Sequence, residues 1–149
     1  MLDDDSDYDI KCQQIRKENV ALLGEFSSWL EEAGLAAATV RSHRSNLDFY
    51  LNHFLVYADT WTPAEGICYV GEFLGDWFIH KAMWSNKTTV KANAASLKKF
   101  YAFMAERGLI KPEEFTSLKQ QIKDELPEWL GAVDRYNDPD VDLEDAWPI

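Results

Sequence analysis

Ser85-Asn86-Lys87-Thr88-Thr89-Val90-Lys91-Ala92-Asn93-Ala94-Ala95-Ser96-Leu97-Lys98-Lys99-Phe100-Tyr101-Ala102-Phe103-Met104 separates its apolar residues from its cations at a helical period. Val90, Leu97, Phe100, Tyr101 and Met104 recur at three- and four-residue steps and share one arc. Lys87, Lys91 and Lys98 fall within about 40° of one another on a different arc, at about 100° per residue. Ala94 and Ala95 interleave with those lysines, and Thr88 and Lys99 flank them. Ser85-Asn86 supplies short polar side chains that accept orphan amides at a helix start. Arg107-Gly108 ends the helix, with a cation at the negative dipole end and a glycine just beyond. The stretch therefore reads as a helix from about residue 87 to about residue 106, with one face for a core and the other basic.

The same period extends upstream. A first helix is expected from about residue 9 to 33, with Val20, Leu22, Leu23, Phe26, Trp29 and Leu30 facing a core and Gly34 as the stop. A second is expected from about residues 37–39 to residue 57, carrying Val40, Leu47, Tyr50, Leu51, Phe54 and Leu55. Thr60-Trp61-Thr62-Pro63 opens a third, since proline suits the first helical turn. It runs to about residue 83 with a weak point at Gly66, and presents Ile67, Val70, Phe73, Leu74, Trp77 and Phe78. Downstream, Pro112-Glu113-Glu114 opens a short helix and residues 126–133 form one more. No strand alternation and no internal repeat is present. The expected fold is all-α: a helical domain over residues 10–112, a disordered acidic tail over 1–9, and short helices with an acidic, turn-rich end over 113–149.

The formal charge of −11 argues at first against nucleic acid. Its distribution reverses that argument. Residues 1–9 hold five acids and no cation, and residues 113–149 hold 11 acids against three cations. Residues 10–112 therefore carry 12 cations and 10 acids, a balance of +2. Statements about partners belong to this middle segment, which is near neutral and locally basic. The acidic N-terminus is no signal peptide, and no apolar run is long enough to span a bilayer, so a cytoplasmic protein with no membrane partner is expected. Cys12 and Cys68 are then expected to be free thiols.

The motifs of catalysis are missing. There is no glycine-rich phosphate loop and no CxxC pair. His43, His53 and His80 lack a His or Cys at the spacing a metal site uses, so no metal and no cofactor is expected. The densest carboxylate clusters lie in the terminal segments, which provide no cleft to separate their pKa values. Ser27-Ser28 and the pair Ser42 and Ser45 have no visible base. The reading is a non-enzyme.

What remains is a pair of polar faces. The basic face of residues 87–106 offers lysines to phosphates and small residues for close approach to a groove. The helix from residue 37 offers Arg41, Ser45 and Asn52 on one side, with Ser42 and Arg44 flanking. Asp48 lies among them and repels phosphate.

Two stretches carry a resemblance to a known family. Phe26-Ser27-Ser28-Trp29-Leu30, Gly34-Leu35, Ala38-Thr39-Val40 and Leu47-Asp48-Phe49-Tyr50-Leu51 resemble the opening of the core-binding domain of tyrosine recombinases, the phage-integrase group. Residues 85–104, followed by Gly108-Leu109-Ile110, resemble that domain's last main helix. The likeness covers roughly residues 14–112. It implies a four-helix, SAM-like orthogonal bundle, here with one or two extra C-terminal helices, forming one jaw of a clamp around double-stranded DNA. Carried over position by position, the DNA-facing residues are Thr39, Arg41, Ser42 and Ser45, then Lys87, Thr88, Lys91, Ala95 and Lys98. Family members continue into a catalytic domain with an Arg–Lys–His–Arg–His constellation and a tyrosine nucleophile. Here 37 residues follow Pro112, with no His and the single Arg135. Ala36 also stands where the family often has a capping serine.

The sequence thus supports a non-catalytic DNA-binding module, an accessory or remnant of site-specific recombination and DNA integration, with a recombinase as a second partner. On this view the acidic segment 113–149 masks the basic face, and its removal raises DNA affinity. The alternative is a helical protein–protein interaction module that has lost DNA binding and docks partners through Trp129, Tyr136 and Trp147. A bundle whose ancestry no longer reports its function is a third possibility.

Overall fold

The computed structural model describes residues 4–56, 60–82 and 84–137. Of these, 86% are helical, in five helices and with no strand. The all-α expectation holds, and the element borders explain how. Helix α1 spans Asp4–Glu32. It stops where Gly34 takes φ +91°, letting Leu35 N donate to Leu30 O at 3.2 Å and close the last turn. Helix α2 covers residues 37–54: an α-helix over Ala37–Phe49 continued by a π turn over Tyr50–Phe54. No side chain caps it at Ala36.

Helix α3 covers residues 63–81. Thr62 Oγ1 accepts from Glu65 N at 3.4 Å, and Glu65 Oε1 accepts from Thr62 N at 2.9 Å. Pro63 takes the first helical position of this reciprocal cap. A 3₁₀ turn over Ile67–Tyr69 follows Gly66, and a π turn occupies Phe73–Trp77. Helix α4, Lys87–Glu106, opens on Asn86, whose side chain accepts from Thr89 N at 2.9 Å. Gly108, at φ +73°, ends its C-terminal turn.

Helix α5 departs from expectation. It is one helix over Pro112–Asn137, running through Pro127, where a short helix from Pro112 and a second over 126–133 were expected. Leu118, Ile122, Trp129 and Val133 are all buried. Burying that stripe outweighs the hydrogen bond lost at Pro127. Residues 113–137 are therefore part of the body of the fold, and deleting 113–149 would strip a core helix instead of a tail. Trp129 and Leu130 pack against the bundle, as a fifth helix requires. Trp147 lies outside the described residues, as does the acidic end from residue 138. The N-terminal expectation also changes. Residues 4–9 are helical, and Tyr8 donates its hydroxyl to Val56 O. Cys12, Ile15 and Val56 form a small second cluster beside this contact. Val20, expected on the core face, is 59% exposed.

Helix α4 is the central element, packing against α1, α2, α3 and α5. Phe26 of α1 meets Phe100 of α4 edge-on at 5.3 Å. Tyr50 of α2 meets Phe73 of α3 at 4.9 Å. Two fully buried tyrosines tie the bundle to the entry of α3: Tyr50 donates to Gly66 O, and Tyr101 donates to Pro63 O at 2.8 Å. Burial pushes both phenols well above their ordinary value. Helices α3 and α5 approach closely at Gly71 and Gly75. A β-carbon on Gly75 would lie 2.9 Å from the Trp129 indole, and one on Gly71 would lie 2.6 Å from Gln121 Nε2. Without side chains at these two positions, the Trp129 ring seats against the backbone of α3.

Candidate nucleic-acid interface

Helices α2 and α4 lie side by side, and a polar bridge marks their seam. Asn46 Nδ2 donates to Ser96 Oγ at 2.9 Å, and Ser96 Oγ lies 2.7 Å from His43 Nδ1. Ser96 is fully buried. The Ser96 hydroxyl, with one proton and two lone pairs, can accept from Asn46 and still either donate to or accept from His43 Nδ1. Burial lowers the His43 pKa, and the nearby Lys99 charge lowers it further.

This seam locates the candidate residues by helical repeat. On α2, Thr39 and Ser42 sit one turn before His43 and Asn46. On α4, Ala92 and Lys99 sit one turn either side of Ser96. These four border the seam directly and are exposed. Arg41 and Ser45 continue the face outward on α2, and Thr88, Lys91 and Lys98 continue it on α4; all five are exposed, while Ala95 is half-buried. The exposed arcs of the two helices therefore adjoin along the seam.

The outer edges differ from the helical-wheel reading. Ala94, expected among the lysines, is buried, because the neighbouring helices close over that edge of α4. Lys87 is exposed but engaged: its Nζ lies 2.9 Å from Asp134 Oδ2 of α5. The next helix thus narrows the basic face from the Lys87 side. On α2, Asn52 is buried instead of lying on the polar face. It accepts from Asn19 Nδ2 at 2.9 Å, through its side chain, and from Arg16 Nη2 at 3.3 Å, through its backbone carbonyl. The long helix α1 covers this edge. Arg44 also turns toward α1, donating to Ser27 Oγ at 3.4 Å.

Lys99, which flanks the lysines on the helical wheel, lies close enough to His43 to depress its pKa. One feature escaped the sequence reading. A cleft of about 310 Å³ opens at one end of the seam, lined by Ser45, Asn46, Asp48, Phe49, Trp84 and Asn93. Trp84 is 55% exposed, and its ring lies 5.4 Å from that of Phe49. Trp84 stands outside any helix, so periodicity could not assign it to a face.

Elsewhere the surface offers little chemistry. Among the described residues no three His, Cys, Asp or Glu side chains are grouped to hold a metal. No helix among them is long and apolar enough to cross a membrane. Cys12 is a buried free thiol and Cys68 an exposed one. Tyr136 stacks edge-on against His80 at 4.8 Å. No family model, no curated protein and no solved structure matches the chain.

Proposed function

We propose that this chain is a non-catalytic module that binds double-stranded DNA through the joined faces of α2 and α4, related to the core-binding domains of tyrosine recombinases and serving as an accessory or remnant of site-specific recombination. The observation that carries the reading is the seam itself. Packing through Asn46, Ser96 and His43 sets two cation-bearing helix faces side by side. Arg41 stands toward one side and Lys91, Lys98 and Lys99 toward the other, all exposed. Such an array neutralises phosphates on both sides of a groove and holds a duplex without reading its bases. The acidic balance of the whole chain does not oppose this, because all of the excess lies at residues 1–9 and 113–149, and residues 10–112 carry +2. Asp134 of α5 nonetheless competes with phosphate for Lys87.

The test is a mobility shift with random-sequence duplex. The native protein retards the duplex at low salt, and the Lys91→Glu/Lys98→Glu double variant does not, while its helical circular dichroism is unchanged. Both lysines are solvent-exposed, so loss of the shift reports the surface and not the fold. Retardation that survives the double reversal rejects the reading and favours the helical protein-interaction module.

A further inference from the structure

The residue that fits the DNA reading least is Asp48, a carboxylate in the middle of a face meant for phosphates. Its surroundings give it another task. It is exposed at the rim of the cleft that ends the α2–α4 seam, and it accepts from Asn52 Nδ2 at 2.6 Å, which holds the carboxylate in place. Asn46 donates to Ser96 at 2.9 Å, and Asn93 donates to Thr89 O at 2.8 Å. Each amide is thereby anchored through one N–H, leaving its oxygen and its second N–H as an acceptor and a donor. Phe49, His53, Phe78 and Trp84 form the aromatic part of the lining, with Trp84 largely in solvent.

We infer that this cleft takes one unstacked nucleobase, stacked on Trp84 and read by Asp48 and the two asparagines. This deepens the proposed function and rests on it. An aromatic ring beside a ring of fixed hydrogen-bonding groups is the arrangement by which proteins hold a base taken out of its stack. The volume of about 310 Å³ lies at the small end for a ligand site and admits one base, not a base pair. The negative charge of Asp48 keeps phosphate out of the cleft, so the sugar–phosphate chain runs outside it, over Arg41 and the lysines. Asp48 only accepts, so an exocyclic amino group on adenine, cytosine or guanine offers it two donor hydrogens where thymine offers the single N3–H.

The test compares a fully paired 20-mer duplex with the same duplex carrying one unpaired base, by fluorescence anisotropy at matched salt. The native protein binds the duplex with an unpaired adenine about ten-fold more tightly than the paired one, the scale of one base–aromatic stacking contact. It shows a smaller gain with an unpaired thymine. Trp84→Ala abolishes the preference and leaves the paired duplex bound as before, and Trp84→Phe restores most of it. 2-Aminopurine placed as the unpaired base is quenched by the native protein and not by Trp84→Ala. Trp84 is exposed, and melting of the variant at the native temperature confirms the fold. Equal binding of paired and bulged duplexes by the native protein overturns the base-cleft inference while the duplex-binding reading stands. Absence of paired-duplex binding together with quenching of 2-aminopurine in a single strand overturns the duplex reading and keeps the cleft. Neither binding nor quenching overturns both.

Discussion

Salt is the sharpest probe of a phosphate-binding face, because each neutralised phosphate releases counterions and contributes about −0.9 to the slope of log K against log salt. On the α2–α4 face Arg41, Lys91, Lys98 and Lys99 are exposed, and none has an ion pair among the described residues, whereas Lys87 is held by Asp134 at 2.9 Å. About four phosphate contacts predict a slope of about −3.6. Raising salt from about 50 to about 200 mM then weakens binding about 150-fold. Replacing Asp134 with Asn frees Lys87 and steepens the slope by about 0.9. The Lys91→Glu/Lys98→Glu variant flattens it to about −1.8 or less. The assay is anisotropy titration of a labelled random duplex across the salt series. A native slope shallower than about −1, or one that the double reversal leaves unchanged, refutes the assignment of the face.

Three further outcomes follow from the packing. Trp129→Ala removes a buried indole from its seat on Gly71 and Gly75, and costs about 3–5 kcal/mol in urea denaturation; a loss below about 1 kcal/mol would mean that α5 is not part of the core. Pro127 is exposed within α5, so Pro127→Ala restores a helical hydrogen bond and raises stability by about 1–3 kcal/mol, where a destabilised variant would contradict the continuous helix. His43 has a lowered pKa in the fold, so between that value and the ordinary value of about 6.5 the unfolded chain binds more protons than the native one. Its contribution is intact above about pH 6.5 and declines as pH falls through this window, so the melting temperature falls on mild acidification, and His43→Asn reduces that fall.

Much of the fold was written in local chemistry. Gly34 and Gly108 end helices at positive φ; Thr62-Pro63 and Asn86 begin them with reciprocal caps. These signals act within four residues, so a sequence displays them directly. What the sequence did not display depends on partners distant along the chain. Ala94 sits among lysines on the wheel, and only the neighbouring helices decide that it is covered. Asn52 reads as a surface amide until Asn19, 33 residues away, bonds to it. The join of the two expected short helices into one depends on burial against α3 and α4, which no local signal near Pro127 displays. Of the candidate interface, the exposure of Arg41, Lys91 and Lys98 could be read from period alone. The ion pair on Lys87 and the cleft beside Asp48 needed the third dimension.

The seating of Trp129 in the gap left by Gly71 and Gly75 has a consequence for biosynthesis. Synthesis proceeds from the N-terminus, and the element that closes the α3–α4 wall is among the last parts of the described chain to be made. Until residues 118–133 leave the ribosome, Gly71 and Gly75 lack the Trp129 indole that covers them. Packing of α3 and α4 against α5 is therefore completed only once this last described helix has emerged.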